Sequence, residues 1–349
     1  MRNTMHASEE KAAIEAQAHI HHALLLGLQL MVCSQYSRQD VEEWMFRLFR
    51  RQHEEKFLTS FDKLGLSGLP DAVACARYHV LSNNIGGVGV EYMYESDRKA
   101  WVRFRYPRWM YQGPTLCGVP LEVSRGFLNG WYAHNGVSLG NPQLGFVCVS
   151  EDMTGEFGLC GYFNEYDRPL SSNERLQFAK NQLPPPFDPE QQPVPPADQW
   201  NPLRLAKASR NYALDFIRNG LIELASVIGE AACRELACRA ARLTGLQYFQ
   251  ETVCMVAAAD GDLQDAMNYL SRMFSGMGDS VNSSVTGETF ELRHTGLRII
   301  RGLPEPTASL VFDCWVSLWQ GTAASQRQLK SLQVQRQANQ AHWTLTVRR

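Results

Sequence analysis

Apolar residues recur at helical spacing in several stretches, and pairs of short alternating runs follow them. Ala7–Val32 reads as a helix whose last part, Ala23–Val32, is almost wholly apolar. Ser37 opens a second helix, with Asp40 three residues on as in a capping box. Val41, Trp44, Met45, Leu48 and Phe49 give that helix one apolar face. Asp71–Ser82 forms a third, short helix. Val88–Glu95 and Ala100–Tyr106 flank a tight turn and predict a β-hairpin. Leu121–His134 is helical, and Gly145–Phe163 predicts a second hairpin.

The same order returns further on. Leu203–Ala232, Glu235–Leu246 and Asp262–Phe274 read as helices. Ser280–Val285 and Thr289–His294 form a hairpin around Thr286-Gly287-Glu288. Pro306–Gly321 is a helix, and Leu329–Arg336 with Trp343–Val347 is a last hairpin. Between the copies, residues 183–199 carry seven prolines. Proline fixes φ and removes backbone donors, so this stretch is an extended linker. The expected fold is α+β, with two similar halves that each place helices before hairpin–helix–hairpin on an antiparallel sheet. Residues 8–182 form the first repeat, with the candidate site, and 200–349 the second. An ancient duplication explains this layout.

Composition changes little. The chain has 349 residues, 44 % apolar and 20 % charged, with net charge −2. A nucleic-acid partner needs a basic stripe, and none is present. The densest basic patch, Arg98, Lys99, Arg103, Arg105 and Arg108, reads as the outer face of a strand. The longest apolar run is too short for a membrane span, and the start is polar and acidic rather than a signal peptide. Nine cysteines without regular spacing fit a reducing cytoplasm.

Candidate chemistry gathers in the first repeat. A three-residue turn at Met153-Thr154-Gly155, with Gly155 left-handed, would pair Cys148 with Cys160 across the hairpin. Cys117 precedes the neighbouring helix. Cys117, Cys148 and Cys160, completed by His134 or Glu156, would then make a zinc site; the other reading is three small buried hydrophobes. Tyr78, His79, Trp101, Trp109, Trp131 and Tyr132 are the aromatic residues expected to line a pocket for an organic ligand, or to build a core. His134 and Cys117 are the candidate catalytic groups.

His19, His21 and His22 lack the H-E-x-x-H pattern and read as an exposed polar face. Met255, Met267, Met273 and Met277 read as core. Asp313-Cys314 would be a nucleophile pair if His294 or His342 approached it. No phosphate loop, G-x-S-x-G elbow or C-x-x-C pair occurs.

Gly126-Phe127-Leu128-Asn129-Gly130-Trp131, followed by Cys148, Gly155 and Cys160, resembles the end pattern of the 4-vinyl-reductase-like domain family. That family includes the input domains of phenol- and xylene-responsive activators. Residues 222–232 are similar to the helical segment that precedes the domain there. The layout also resembles the small hydrolases that open the ring of aminothiazoline carboxylate. The family's last two cysteines are closer in sequence, and Gly145-Phe146-Val147 stands where it has a glutamate. The resemblance implies binding of a small apolar or aromatic compound. The alternative is a hydrolase or lyase on a small organic compound, dependent on zinc or cysteine. The expected partner is a small organic molecule, with a homodimer left open.

Overall fold

The computed structural model describes residues 7–155, 157–195, 200–327 and 330–347. The fold is α+β with two separate sheets. In chain order, α1 (Ala7–Gln35), α2 (Arg38–Lys56) and α3 (Asp71–Ile85) lead to β1 (Val90–Ser96) and β2 (Lys99–Phe104). Then come α4 (Leu121–Gly130), the single turn α5 (Asn135–Ser138), β3 (Leu144–Ser150), β4 (Cys160–Glu165) and the short β5 (Leu176–Phe178). The second round runs α6 (Pro202–Ile228), α7 (Glu230–Met255), α8 (Leu263–Gly276), β6 (Ser280–Thr286), β7 (Thr289–Thr295), α9 (Thr307–Ala324), β8 (Lys330–Gln337) and β9 (Gln340–Val347).

Two compact units result, divided differently from the proline-rich boundary alone. Val32–Leu205 forms a middle unit. Residues 7–31 join the described residues from Ala206 onward in a flanking unit. The first helix therefore packs mainly with the second copy of the plan. The reason is visible along α1. Gln17 Nε2 donates to the Met273 carbonyl on α8 at 2.6 Å, and a Cβ on Gly276 would run into Ala13. Ile14, Ile20, Leu24, Leu25 and Leu28 are all buried, so α1 is a core helix covered on most sides.

The middle sheet runs β1-β2-β4-β3-β5, antiparallel except for the parallel β3–β5 pair. The flanking sheet runs β6-β7-β9-β8, the same order without a fifth strand among the described residues. In each unit one helix lies on the sheet, α3 or α8, while a helix pair, α2–α4 or α7–α9, packs closely. Glycine permits that closeness. A Cβ on Gly126 or Gly130 of α4 would collide with the backbone of α2, and one on Gly245 or Gly321 would collide across α7–α9.

The expected capping box is present at Ser37–Asp40 before α2, and a second one, Asp262–Asp265, opens α8. The β3–β4 register differs from expectation. The connection is a nine-residue loop, Gly158 rather than Gly155 takes positive φ, and a bulge lies between Cys148 and Ser150.

The described part of the proline-rich stretch, residues 183–195, is docked on the sheet through Gln192. It leaves β5 at the β3 edge and reaches the opposite edge of the sheet at β1. On the way Ala179 packs against Met93, Trp101, Val147, Val149, Cys160 and Tyr162, the face of the sheet away from α3. At β1 the Tyr92 N–H donates to Gln192 Oε1, and Gln192 Nε2 donates back to the Tyr92 carbonyl, both at 2.9 Å. The side-chain amide thus imitates one residue of a sixth strand. Asn84 does the same at Val90. Such covering keeps an edge from pairing with other chains. Gln192→Ala removes both bonds and should cost about 1–2 kcal/mol; hydrogen exchange at the Tyr92 amide should rise accordingly.

Candidate functional site

The structure brings part of the expected aromatic set together. Tyr78 and His79 project from α3, and Trp131, Tyr132 and His134 follow the end of α4. His79 stacks on Tyr132 at 3.8 Å and on Phe163 at 5.4 Å, and Trp131 lies 6.1 Å from it. His53 of α2 joins them, 5.7 Å from Trp131 and 5.2 Å from His134. Asn135 Nδ2 donates to His79 Nε2 at 2.9 Å. His53 Nε2 bonds to the Ser138 hydroxyl at 2.8 Å. Burial holds the His53 imidazole down to about 3, with His134 and Arg50 adding to the effect. Burial likewise holds His134 down to about 4 and His79 well below its ordinary range.

These rings fill the space they share. Tyr78, His79, Trp131 and Tyr132 are all buried, so they form a packed aromatic core. Trp101 is elsewhere, on the far face of the sheet, 4.5 Å from Tyr162. Trp109 sits half-buried in the turn Trp109–Tyr111.

The zinc set does not form. The bulge shifts the register so that Cys148 opposes Gly161, and Ser150 opposes Cys160. A one-residue shift turns a side chain to the other face. Cys160 therefore joins Trp101 and Tyr162, while Cys148 shares the face of Phe146. Cys117 is exposed in the turn Gly113–Cys117. Burial pushes the Cys160 thiol up to about 12 and raises Cys148 further. Among the described residues no three His, Cys, Asp or Glu side chains gather to hold a metal ion, and all nine cysteines are free. Glu156 lies outside the described residues.

The polar network that the sequence hid is centred on Asp152. Arg108 donates to Asp152 Oδ1 at 2.6 Å, Tyr106 donates to the same oxygen at 2.6 Å, and Tyr111 and Ser124 donate to Oδ2. Arg108 is 2 % exposed. It thus leaves the outer-face group to which Arg98, Lys99, Arg103 and Arg105 belong; those four pair with Asp167, Glu95 and Glu91. The Asp152 contacts join segments 28 to 46 residues apart, too distant for any local pattern. They are directed inward and tie the β3–β4 loop to α4.

An open groove of about 570 Å³ lies at the β1 edge, under the end of the docked segment. Leu64, Leu66, Leu81 and Val194 supply its apolar wall, with Arg77 of α3 and Tyr92 of β1. The Arg77 guanidinium lies over the Tyr92 ring at 5.4 Å. Arg77 Nε and Tyr92 Oη are buried and make no hydrogen bond of ordinary geometry. No carboxylate pairs with Arg77 among the described residues; Glu190, also in the lining, is exposed. Sequence reading missed this site because its residues come from four separate segments.

The flanking unit holds its own histidines. His21 and His22 are buried, not an exposed face, because α1 is covered on that side; His19 pairs with Glu251 at 3.0 Å. Cys314 is buried, and its thiol points to the Ala237 carbonyl at 3.5 Å. Asp313 pairs with Arg234. His294 instead pairs with Asp279 at 3.0 Å and stacks on Phe274, and His342 faces Glu291, so neither serves Asp313-Cys314. Met267, Met273 and Met277 are core as expected; Met255, at the end of α7, is half-buried. A polar concavity of about 440 Å³ on the outer face of the sheet includes Asn282, Arg293, Gln335 and His342.

No family model, curated protein or solved structure compared with the chain matches it. No helix among the described residues is long and apolar enough to cross a membrane.

Proposed function

We propose that this protein binds a small organic compound in the β1-edge groove of the middle unit. The observation that carries the reading is the Arg77 guanidinium over the Tyr92 ring, its Nε buried without a hydrogen-bond partner, in a groove that combines the apolar side chains of Leu64, Leu66 and Leu81 with polar ones. A buried donor without a partner costs about 1–3 kcal/mol, which a ligand acceptor would recover. The ligand is therefore an apolar or aromatic body with a carboxylate or carbonyl, its ring against Leu64, Leu66 and Leu81 and its oxygen toward Arg77 and Tyr92. Resemblance to the aromatic-responsive input domains points to the same class of compound. Nine free cysteines favour the cytoplasm as its compartment. The hydrolase or lyase alternative lacks comparable support, since His53 and His79 of the aromatic core are buried and held below their ordinary range, and no nucleophile stands beside the half-buried His134 among the described contacts.

The test is a titration of the full chain with benzoate, phenylacetate and salicylate, beside neutral phenol and toluene, followed by calorimetry. The acids should bind and the neutral analogues should bind more weakly. Arg77→Ala should weaken the acids by about 10-fold or more, and Tyr92→Phe by about 5-fold. Equal binding by wild type and Arg77→Ala would sink the assignment.

A further inference from the structure

The two sheets share a strand order, but their edges are treated differently. In the middle unit β5 lies along β3. The Phe146 N–H donates to the Arg175 carbonyl at 2.8 Å, and the Ala179 N–H donates to the Cys148 carbonyl at 2.9 Å. With that cover β3 is buried along its whole length. The counterpart of β3 in the flanking unit is β8, which ends its sheet order. Among the described residues β8 pairs with β9 alone.

The register makes the comparison residue by residue. Leu332 opposes Leu345 and Val334 opposes Trp343, as Phe146 opposes Phe163 and Cys148 opposes Gly161. Leu345 and Trp343 are buried core residues, so Leu332 and Val334 share the core side of the sheet. Unlike Phe146 and Cys148, they are only half-buried. The hairpin turn is Ala338-Asn339, with Ala338 at φ 50°. A two-residue turn makes its flanking residues, Gln337 and Gln340, a hydrogen-bonded pair, and such pairs alternate along the ladder. The backbone N–H and C=O groups of Leu332, Val334 and Arg336 therefore point outward from the edge.

Usual edge protection is also missing here. Ser331–Gln335 contains no charge and no proline, the devices that blunt exposed edges. Arg336 is engaged with Glu305 at 2.5 Å and with Ser309 at 2.8 Å, rather than standing guard on the edge.

We propose that β8 is a strand-addition site for an extended segment of a partner polypeptide. The segment lies parallel to β8, where β5 lies on β3, and carries apolar residues at alternate positions. The template is Arg175-Leu176-Gln177-Phe178, in which Leu176 and Phe178 oppose Phe146 and Cys148. Main-chain bonds supply the affinity, and the alternate apolar residues, set beside Leu332 and Val334, supply selectivity. This surface is separate from the ligand groove.

The probe is a fluorescein-labelled peptide copying residues 172–180, titrated into the full chain and followed by anisotropy and amide hydrogen exchange. Saturable binding should slow exchange at Leu332 and Val334. Replacing the residues that copy Leu176 and Phe178 in the peptide by lysine should weaken binding at least about 10-fold, as should Val334→Pro in the protein. Val334→Lys keeps the backbone donor and so serves as a second, gentler variant. Unchanged exchange in α7 and α9 establishes that each variant is folded. No saturable binding, or unchanged affinity in a folded variant, overturns the proposal. So does slowed exchange at Phe146 and Cys148 instead, which would mean that the peptide displaces β5. Protection of β8 that grows with protein concentration and needs no peptide makes a second copy the occupant, and also overturns it.

Discussion

Between pH 7 and pH 5 each unit should lose about 4 kcal/mol of stability. Four imidazoles are responsible. His21 and His22 in the flanking unit, and His53 and His79 in the middle unit, are all buried. Burial holds His21 down to about 4 against a bond from its ring to the Gln17 carbonyl, and holds His22 and His53 to about 3, where His21 and His19 beside the first and His134 and Arg50 beside the second push in the same direction. His79 lies well below its ordinary range for the same reason. The sign follows from proton counting. In the unfolded chain these groups titrate near 6.5, so below that pH the unfolded state binds protons that the folded state refuses. Stability is complete above about pH 6.5 and falls as pH drops toward the folded values. At pH 5 each imidazole contributes about 2 kcal/mol of loss, two per unit. Whole domains have only about 5–15 kcal/mol to lose. Calorimetric scans at pH 7.5, 6 and 5 should show the midpoint dropping by about 10 °C. His22→Leu and His53→Gln should each flatten the profile. A midpoint that stays level from pH 7 to pH 5 would contradict the burial of these rings as neutral groups.

Gly321→Ala should destabilise the flanking unit by about 3 kcal/mol or more. In an exposed mid-helix position the same change would stabilise by up to about 1 kcal/mol, because alanine is the better helix former. Here the added methyl would overlap the Arg242 carbonyl on the facing helix. Gly245→Ala should behave alike, since its Cβ would meet the Leu318 carbonyl. Backbone atoms cannot rotate aside, so α7 and α9 must separate and open the core around Trp315 and Trp319. Gly27→Ala offers a graded comparison. Its methyl would come 2.8 Å from the Thr244 hydroxyl, a side-chain atom able to give way, and the cost should be smaller. Urea melts of the three variants test this order; equal stabilities would show that the α7–α9 crossing is looser than described.

Local signals made several elements legible. Ser37 with Asp40 and Asp262 with Asp265 mark helix starts, because a capping box is built from neighbours three residues apart. Thr286-Gly287-Glu288 likewise located the β6–β7 hairpin. The repeated order of helices and hairpins, and hence the α+β class, follows from periodicity alone. The β3–β4 register did not. Its loop residues Met153-Thr154-Gly155 resemble a tight turn, yet the real connection is longer. The bulge before Ser150 then sent Cys148 and Cys160 to opposite faces.

Sequence by itself thus determined most of the helices and strands and their repeated order, though not β5 or the break at Gly229 between α6 and α7. Tertiary structure decided which copy claims each segment and which side chains meet. It assigned α1 to the flanking unit, buried His21 and His22, joined Arg108 to Asp152, and docked Gln192 on the β1 edge. The physical reason is one of range. Periodicity and capping act over a few residues, whereas burial, buried ion pairs and sheet edges depend on chain segments far apart in sequence. The candidate groove and the open β8 edge are both of that second kind. Each exists only after distant segments have packed.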